Sequence, residues 1–409
     1  MGASLPDHPV RGPLRNFLED LATEAEDRRE GLLQREPTPL AGIDFASNDY
    51  LGLSRHTRIG EAMRRALEYD PFGCPASRLL GGHTAAHAEV EDRLAAFKGT
   101  EAALLFSSGY AANIGTLGAL IRKEDRALSD ELNHASLIDG LRLAGCRREI
   151  YPHIDLDALE FILRRPHPGG RTFIVTETLF SMDGDLAPIE RIAALADRHG
   201  ALLILDEAHA TGLWGEKHRS GLAERFGVAD RAAAIVSTCG KALGLWGAFV
   251  AGPREVIDCV MNRARPFIFS TAVPPVLLAG IGAALEVLRD EPERVLQLHA
   301  NSARLRAGLG GLGISPGAAA ASEGPIVPVT LGSNERALEV AAAVRGRGFD
   351  VRAIRPPSVP EGTARIRISV HAQQTEAEID GLSRALTDIV ERTAPMTAGG
   401  RAHGLRGNG

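Results

Sequence analysis

The sequence predicts an α/β fold: a large domain whose mostly parallel sheet lies between helices, followed by a smaller C-terminal α+β domain. Three observations carry that prediction. From about residue 60 to residue 293, helical segments alternate with short apolar runs, the rhythm of parallel strands joined by crossover helices. Two of those runs, Ala201–Leu205 and Ala232–Val236, lead directly into polar residues, as strands do where an open sheet meets its ligand. Beyond residue 294 the rhythm changes to three strand-like stretches around one helix.

The elements follow in order. Leu14, Phe17, Leu18, Leu21 and Ala25 recur among charges at helical spacing, so an amphipathic helix is expected over Leu14–Arg35, ended by Pro37-Thr38-Pro39. Ala102–Phe106, Phe173–Glu177, Ala201–Asp206, Ala232–Thr238 and Gly247–Gly252 read as strands, and Pro275–Asp290 as a helix. In the last hundred residues Ile326–Leu331, Phe349–Ile354 and Arg365–Val370 are strand-like, with a helix over Glu335–Arg347. The expected division is an N-terminal helix and lead-in over 1–59, a large domain over 60–293, a small C-terminal domain over 294–395 and a disordered tail over 396–409.

Composition narrows the function classes. A chain of 409 residues with 44% hydrophobic and 24% charged residues has the make-up of a soluble protein with a full core. A formal net charge of −6 argues against nucleic acid or an anionic membrane as the main partner, leaving small molecules. Cys74, Cys146, Cys239 and Cys259 are widely spaced with no Cys-x-x-Cys pair, which fits a reducing compartment rather than a disulfide framework or zinc ribbon. Residues 1–6 have no apolar signal core, Pro6 spoils a myristoylation pattern, and no apolar run is long enough to span a bilayer. A cytoplasmic location is expected.

The chemistry lies in two turns. Asp206 ends one apolar run and begins Asp206-Glu207-Ala208-His209; Ser237-Thr238-Cys239-Gly240-Lys241 ends the next. An acid and a lysine at the carboxyl ends of neighbouring parallel strands form the arrangement pyridoxal 5'-phosphate requires. The lysine takes the aldehyde as a Schiff base, the carboxylate keeps the pyridine nitrogen protonated, and the ring becomes an electron sink. Phe106-Ser107-Ser108-Gly109-Tyr110-Ala111-Ala112-Asn113 joins a strand to a helix through small residues. Backbone amides at such a junction can approach a phosphate.

Three patterns are set aside. Gly308-x-Gly310-x-x-Gly313 follows a helix and precedes a strand, the reverse of a dinucleotide fingerprint. Asp206–His209 also spells a helicase motif, but no phosphate loop of the Gly-x4-Gly-Lys type lies upstream. His83 and His87 are four residues apart with no third ligand beside them, so no metal is expected.

With these residues in view, the chain resembles the α-oxoamine synthases, fold-type I pyridoxal-phosphate transferases, from about Phe45 to Ile389. The motifs are Ser47–Leu53, Ser77–Gly82, Ser107–Tyr110, Asn133–Ile138, Phe180–Asp185, Asp206–Gly212 and Thr238–Lys241. The resemblance implies that Lys241 is the Schiff-base lysine, Asp206 the partner of the pyridine nitrogen and His209 a contact of the phenolic oxygen. His134 would stack on the ring and touch substrate. Gly109, Tyr110 and Thr238 would hold the phosphate, Ser181 would contact the cofactor and Ser358 the substrate. Asn48 and Arg367 resemble the groups that hold the amino acid's carboxylate, with Arg355 as a competitor. The family's shared sites imply a homodimer in which Thr271 reaches the partner subunit's phosphate.

The implied reaction is a decarboxylating condensation of an amino acid with an acyl thioester of coenzyme A or acyl carrier protein. The stretch Ala353–Arg367 resembles the branch that joins L-alanine to a pimeloyl thioester in biotin biosynthesis. A glycine-using sister with an acetyl donor, another acyl-chain specificity and a non-catalytic partner subunit stand as alternatives. Pro75, in Gly73-Cys74-Pro75-Ala76, and Trp246 depart from the family's pattern and are expected to reshape the acyl channel.

Overall fold

The computed structural model describes residues 12–310, 312 and 323–393. The expected tail at 396–409 and Gly313 of the glycine pattern lie outside them. Twelve strands are formed by these residues: β1 Ile43–Asp44, β2 Ala102–Phe106, β3 Arg126–Asp130, β4 Arg147–Tyr151, β5 Thr172–Glu177, β6 Leu202–Asp206, β7 Ala232–Thr238, β8 Ala248–Gly252, β9 Ile326–Gly332, β10 Phe349–Asp350, β11 Arg352–Ile354 and β12 Ala364–Ser369. Seven make one sheet in the order β2-β8-β7-β6-β5-β3-β4. All neighbours in it are parallel except β8, which runs antiparallel to both β2 and β7. Strands β5, β6 and β7 are apolar almost without alternation because both faces are covered. One face packs against a cluster containing Leu105, Ile174, Leu203 and Ile235; the other against Phe173, Val175, Ile204 and Val236.

The smaller domain is a three-stranded antiparallel sheet, β11-β12-β9, with helices Asn334–Gly346 and Glu376–Arg392. The fold class is therefore the expected one. Details differ for physical reasons. Strands β3 and β4 were not expected, since β3 carries Arg126, Ser129 and Asp130 and β4 is a largely exposed edge. The stretch Phe349–Ile354 splits in two: β10 pairs in parallel with β1 of the lead-in, whereas β11 joins β12. The N-terminal helix runs Pro13–Glu30, ending sooner than Arg35 at Gly31, with Leu32 in the left-handed region. It buries no residue.

The topology decides where chemistry can occur. Parallel neighbours β5, β6 and β7 end together at Glu177, Asp206 and Thr238, and the helix Gly109–Leu120 begins just after β2. That helix packs on Ala135–Ala144, with Gly140 at the crossing, where an added Cβ would lie 2.7 Å from Leu117 Cδ1.

Candidate active site

Asp206 forms the floor. Its Oδ1 accepts the Ala208 amide at 2.7 Å and its Oδ2 accepts Asn113 Nδ2 at 2.6 Å, so the carboxylate is oriented from two sides. Glu177 is its register partner on β5 and accepts the His134 amide at 2.6 Å. Burial, reinforced by the neighbouring Asp206 charge, pushes the Glu177 carboxyl well above the usual carboxylate range.

Lys241 follows β7 by three residues, and its Nζ lies 2.8 Å from His209 Nε2. Burial lowers the lysine to about 8, against the pull of Asp206 and Glu177, so its neutral amine is reached over a pH range in which an ordinary lysine stays charged. Burial, then the charge of Lys241, also holds His209 well below the ordinary histidine range. The other nitrogen of His209 meets the Tyr50 hydroxyl at 2.7 Å, and Tyr50 donates to Asn48 Oδ1 at 3.0 Å. Arg367 closes this chain. Its buried guanidinium donates to Ser181 O at 2.7 Å, to Ser369 Oγ at 2.8 Å and to Asn48 Oδ1 at 3.2 Å.

An anion cradle lies at the start of helix Gly109–Leu120. Ser108 is the N-cap: its Oγ accepts the Ala111 amide and its carbonyl the Ala112 amide. Among the described residues no acceptor meets the amides of Gly109 and Tyr110. These are two of the orphan donors every helix start carries, aligned with the positive end of the dipole. A Cβ on Gly109 would come within 3.9 Å of Thr238 Cβ, so the helix start and the end of β7 converge. The Thr238 hydroxyl donates to Gly247 O and accepts the Gly240 amide, both at 3.1 Å. A phosphate on the two free amides, a pyridine nitrogen on Asp206 and an aldehyde on Lys241 match the donors and acceptors present, so the residues fit pyridoxal phosphate.

The remaining expected residues stand farther out. His134 caps helix Ala135–Ala144 and lines, with Phe180, Ser181, Met182 and Pro356–Glu361, a cavity of about 570 Å³ that also includes Ser358. Ser358 Oγ accepts from Arg35, and Arg355 is spent on the carbonyls of Leu32 and Gln34 in the lead-in. Thr271 is exposed and bridges to Ser77, while Trp246 is also exposed.

One wall of the cavity is clamped by charge. His153 lies between Asp130 and Asp185, 2.8 Å from each, and its ring meets Phe180 edge-on. Burial alone would depress it, but bonds to Asp130 and Asp185 override that and raise it to about 10. Arg365 bonds Asp183 in the same turn. Sequence reasoning gave no role to Glu177, Asn113, Tyr50 or His153. Glu177 had the most direct signal, ending an apolar run one strand from Asp206.

The profile of the family "aminotransferase class I and II" matches residues 41–386. The 8-amino-7-oxononanoate synthase of Anaeromyxobacter dehalogenans is 47% identical over 353 residues, 86% of this chain and 87% of that one. The chain belongs to the α-oxoamine synthases. It is a fold-type I, pyridoxal-phosphate-dependent acyltransferase catalysing the condensation characteristic of that family. A serine palmitoyltransferase from S. paucimobilis with bound PLP and myriocin superposes with a TM-score of 0.85 at 28% identity, covering 93% of this chain and 99% of that one. An 8-amino-7-oxononanoate synthase from Francisella tularensis gives 0.73 at 26% identity, covering 86% and 97%.

Proposed function

We propose that this α-oxoamine synthase joins L-alanine to a pimeloyl thioester, giving 8-amino-7-oxononanoate, carbon dioxide and the free thiol of coenzyme A or acyl carrier protein. The observation that carries the site assignment is the unbroken chain Arg367–Asn48–Tyr50–His209–Lys241. It sets a buried, forked cation beside the reactive amine, as an amino acid's carboxylate and α-carbon require. The amino acid and acyl chain are assigned by the likeness to 8-amino-7-oxononanoate synthases.

Pyridoxal phosphate, when bound, supplies an electron sink conjugated to the amino acid's α-carbon. Asp206 would hold the pyridine nitrogen, Gly109, Tyr110 and Thr238 the phosphate, and His209 the phenolic oxygen, with Ser181 alongside. Arg367 and Asn48 fix the carboxylate, and through it the angle of the bond to be broken. Lys241, as the neutral amine nearest that carbon, would take the α-proton. His134 faces the acyl cavity, whose apolar wall of Phe180, Met182, Pro356, Pro357 and Val359 accommodates a chain of several methylenes, with Ser358 among its lining residues. Arg355 anchors the lead-in rather than the carboxylate.

The active form is a homodimer. Tyr69, Phe72, Leu80 and Phe269 are large apolar side chains left strongly exposed by one chain, and Phe269 neighbours Thr271, the residue assigned to the partner subunit's phosphate. Four free cysteines suit a cytoplasmic enzyme. The test is a side-by-side steady-state assay. Alanine with pimeloyl thioester should far outperform glycine with acetyl-CoA, each buried methylene being worth about 0.8 kcal/mol. The opposite ranking would leave the family intact and overturn the substrate.

A further inference from the structure

Asn113 sits on the first turns of helix Gly109–Leu120 with 2% of its surface exposed, and its side chain carries an anomaly. Both protons of its amide are used: one on Asp206 Oδ2 at 2.6 Å, the other on Ser136 Oγ at 2.9 Å. Its carbonyl oxygen is buried without a partner. An orphaned buried carbonyl costs about 1–3 kcal/mol, and turning the amide over would aim that oxygen at the Asp206 carboxylate. The orientation is therefore dictated by the acid it serves.

The chain of bonds continues to the other side of the site. Ser136 Oγ lies 2.7 Å from His134 Nδ1, and the Ser136 backbone amide also points at that nitrogen at 3.2 Å. A backbone amide can only donate, so Nδ1 is an acceptor. Having accepted from Asn113, the Ser136 hydroxyl gives its own proton to the same nitrogen. The neutral ring then carries its proton on Nε2, and burial, with Lys241 adding to it, keeps the ring below the ordinary histidine range.

We infer that Asn113 is a positioning residue that couples the two faces of the cofactor site, orienting Asp206 directly and, through Ser136, holding His134 as the Nε2–H tautomer. This rests on the assignment of Asp206 to the pyridine nitrogen and of His134 to the ring face. It makes His134 a hydrogen-bond donor toward the cleft and leaves proton removal to Lys241. Gly140 is part of the device. Leu117 and Gly140 lie one helical turn beyond Asn113 and Ser136 respectively, and the missing Cβ lets the two helices approach closely enough for the amide to span them.

The test uses holoenzyme with 15N-labelled histidine, the His134 signals being assigned by their loss in His134→Gln. In the parent, His134 Nδ1 should resonate as an unprotonated, hydrogen-bonded nitrogen. Asn113→Ala should weaken pyridoxal-phosphate binding by about tenfold or more, as expected for a lost bond to a charged group, and should move the His134 Nδ1 resonance. Ser136→Ala should move that resonance as much while changing cofactor affinity by less than about threefold, because Asp206 keeps its donor. Losses in kcat/KM for the two variants should be less than multiplicative in the double variant, since both interrupt one chain. If Asn113→Ala lowers only the melting temperature, with cofactor affinity and the Nδ1 resonance unchanged, Asn113 is a core residue and the inference fails. Should that variant not fold, an unmoved Nδ1 resonance in Ser136→Ala overturns it equally. Neither readout depends on which amino acid or acyl donor the enzyme uses.

Discussion

Lys98 and Lys241 lie on either side of the Asp206-Glu207 dipeptide, and burial acts on the two with opposite results. Successive side chains at the end of a strand face opposite ways, so Asp206 looks into the cofactor cleft and Glu207 into the core behind it. In the core, Lys98 spends its ammonium protons on Glu207 at 2.7 Å, Thr211 Oγ1 at 3.2 Å and Ser220 O at 2.5 Å. Burial pulls it below the ordinary lysine range while Glu207 pulls it back. The other Glu207 oxygen accepts the Ala223 amide, and Gly221 leaves just the room it needs, since a Cβ there would lie 2.3 Å from the carboxylate. Among the described residues, Lys241 meets a single hydrogen-bond partner, the imidazole of His209. A saturated lysine is structure; an unsaturated one beside a neutral ring is available for bond formation.

The largest effect should come from breaking the cleft side. Lys241→Ala should reduce turnover by about 10⁴-fold or more, the scale seen when a covalent catalyst is removed, with little change in melting temperature. Borohydride reduction followed by peptide mass spectrometry should find the cofactor on Lys241 in the parent. An adduct on Lys98 or any other lysine would reverse the comparison.

On the core side, Lys98→Met should cost stability instead, about 3–5 kcal/mol, because Glu207 is left buried without its counter-ion. Denaturant unfolding measures this directly. Combining it with Glu207→Leu should recover much of the loss, as it removes the stranded charge. If Lys98→Met unfolds like the parent but loses turnover, the core lysine has a part in the chemistry.

A third charge, partly buried, sharpens the distinction. His153 is saturated like Lys98, with a carboxylate on each nitrogen, yet it braces Phe180, which lines the cavity beside His134. Its folded value of about 10 lies above the unfolded value, so its contribution to stability is complete below about pH 6.5 and is lost as pH rises through about 10. His153→Gln should therefore lower stability by about 1–3 kcal/mol at pH 6. The gap to the parent should narrow above pH 10. A gap independent of pH would mean that packing against Phe180, not charge, is what the ring provides.

These contrasts also mark what could be read beforehand. Strands β2 and β5 to β8 were legible because each is an apolar run closed by glycine or polar residues, and Asp206 and Lys241 because they end two such runs. The lead-in could not be read that way. Its strand β1 is two residues long and pairs with β10, some three hundred residues later, while Ala41 reaches the buried carboxylate of Asp350. Asn113 and Tyr50 stood inside recognisable motifs, but their partners, Asp206 and His209, are about a hundred or more residues away. Local periodicity reports burial and turns; it has no access to which buried amide meets which buried acid. Arg355 and Arg367 make the same point. They lie twelve residues apart in one motif, yet one straps the lead-in and the other sits under Asn48.

The smallest predicted effect returns to the two lysines. Only a neutral amine attacks an aldehyde, and Lys241, lowered to about 8, gains that form over the pH range in which an ordinary lysine stays charged. Capture of pyridoxal phosphate by the apoenzyme, followed by stopped-flow absorbance, should accelerate about tenfold between pH 7 and pH 9 with a midpoint near 8, as a single ionisation requires. Asp206 and Glu177 are what keep the midpoint from falling further. Glu177→Gln should therefore shift it downward, by removing a carboxyl whose charge favours the ammonium. Lys98→Met should leave it in place, because Lys98 lies on the far side of the Asp206-Glu207 dipeptide and does not titrate in the cleft. A midpoint near 10 in the parent would mean that Lys241 is solvated like a surface lysine, and the contrast between a saturated and a poised amine would no longer explain which one carries the cofactor.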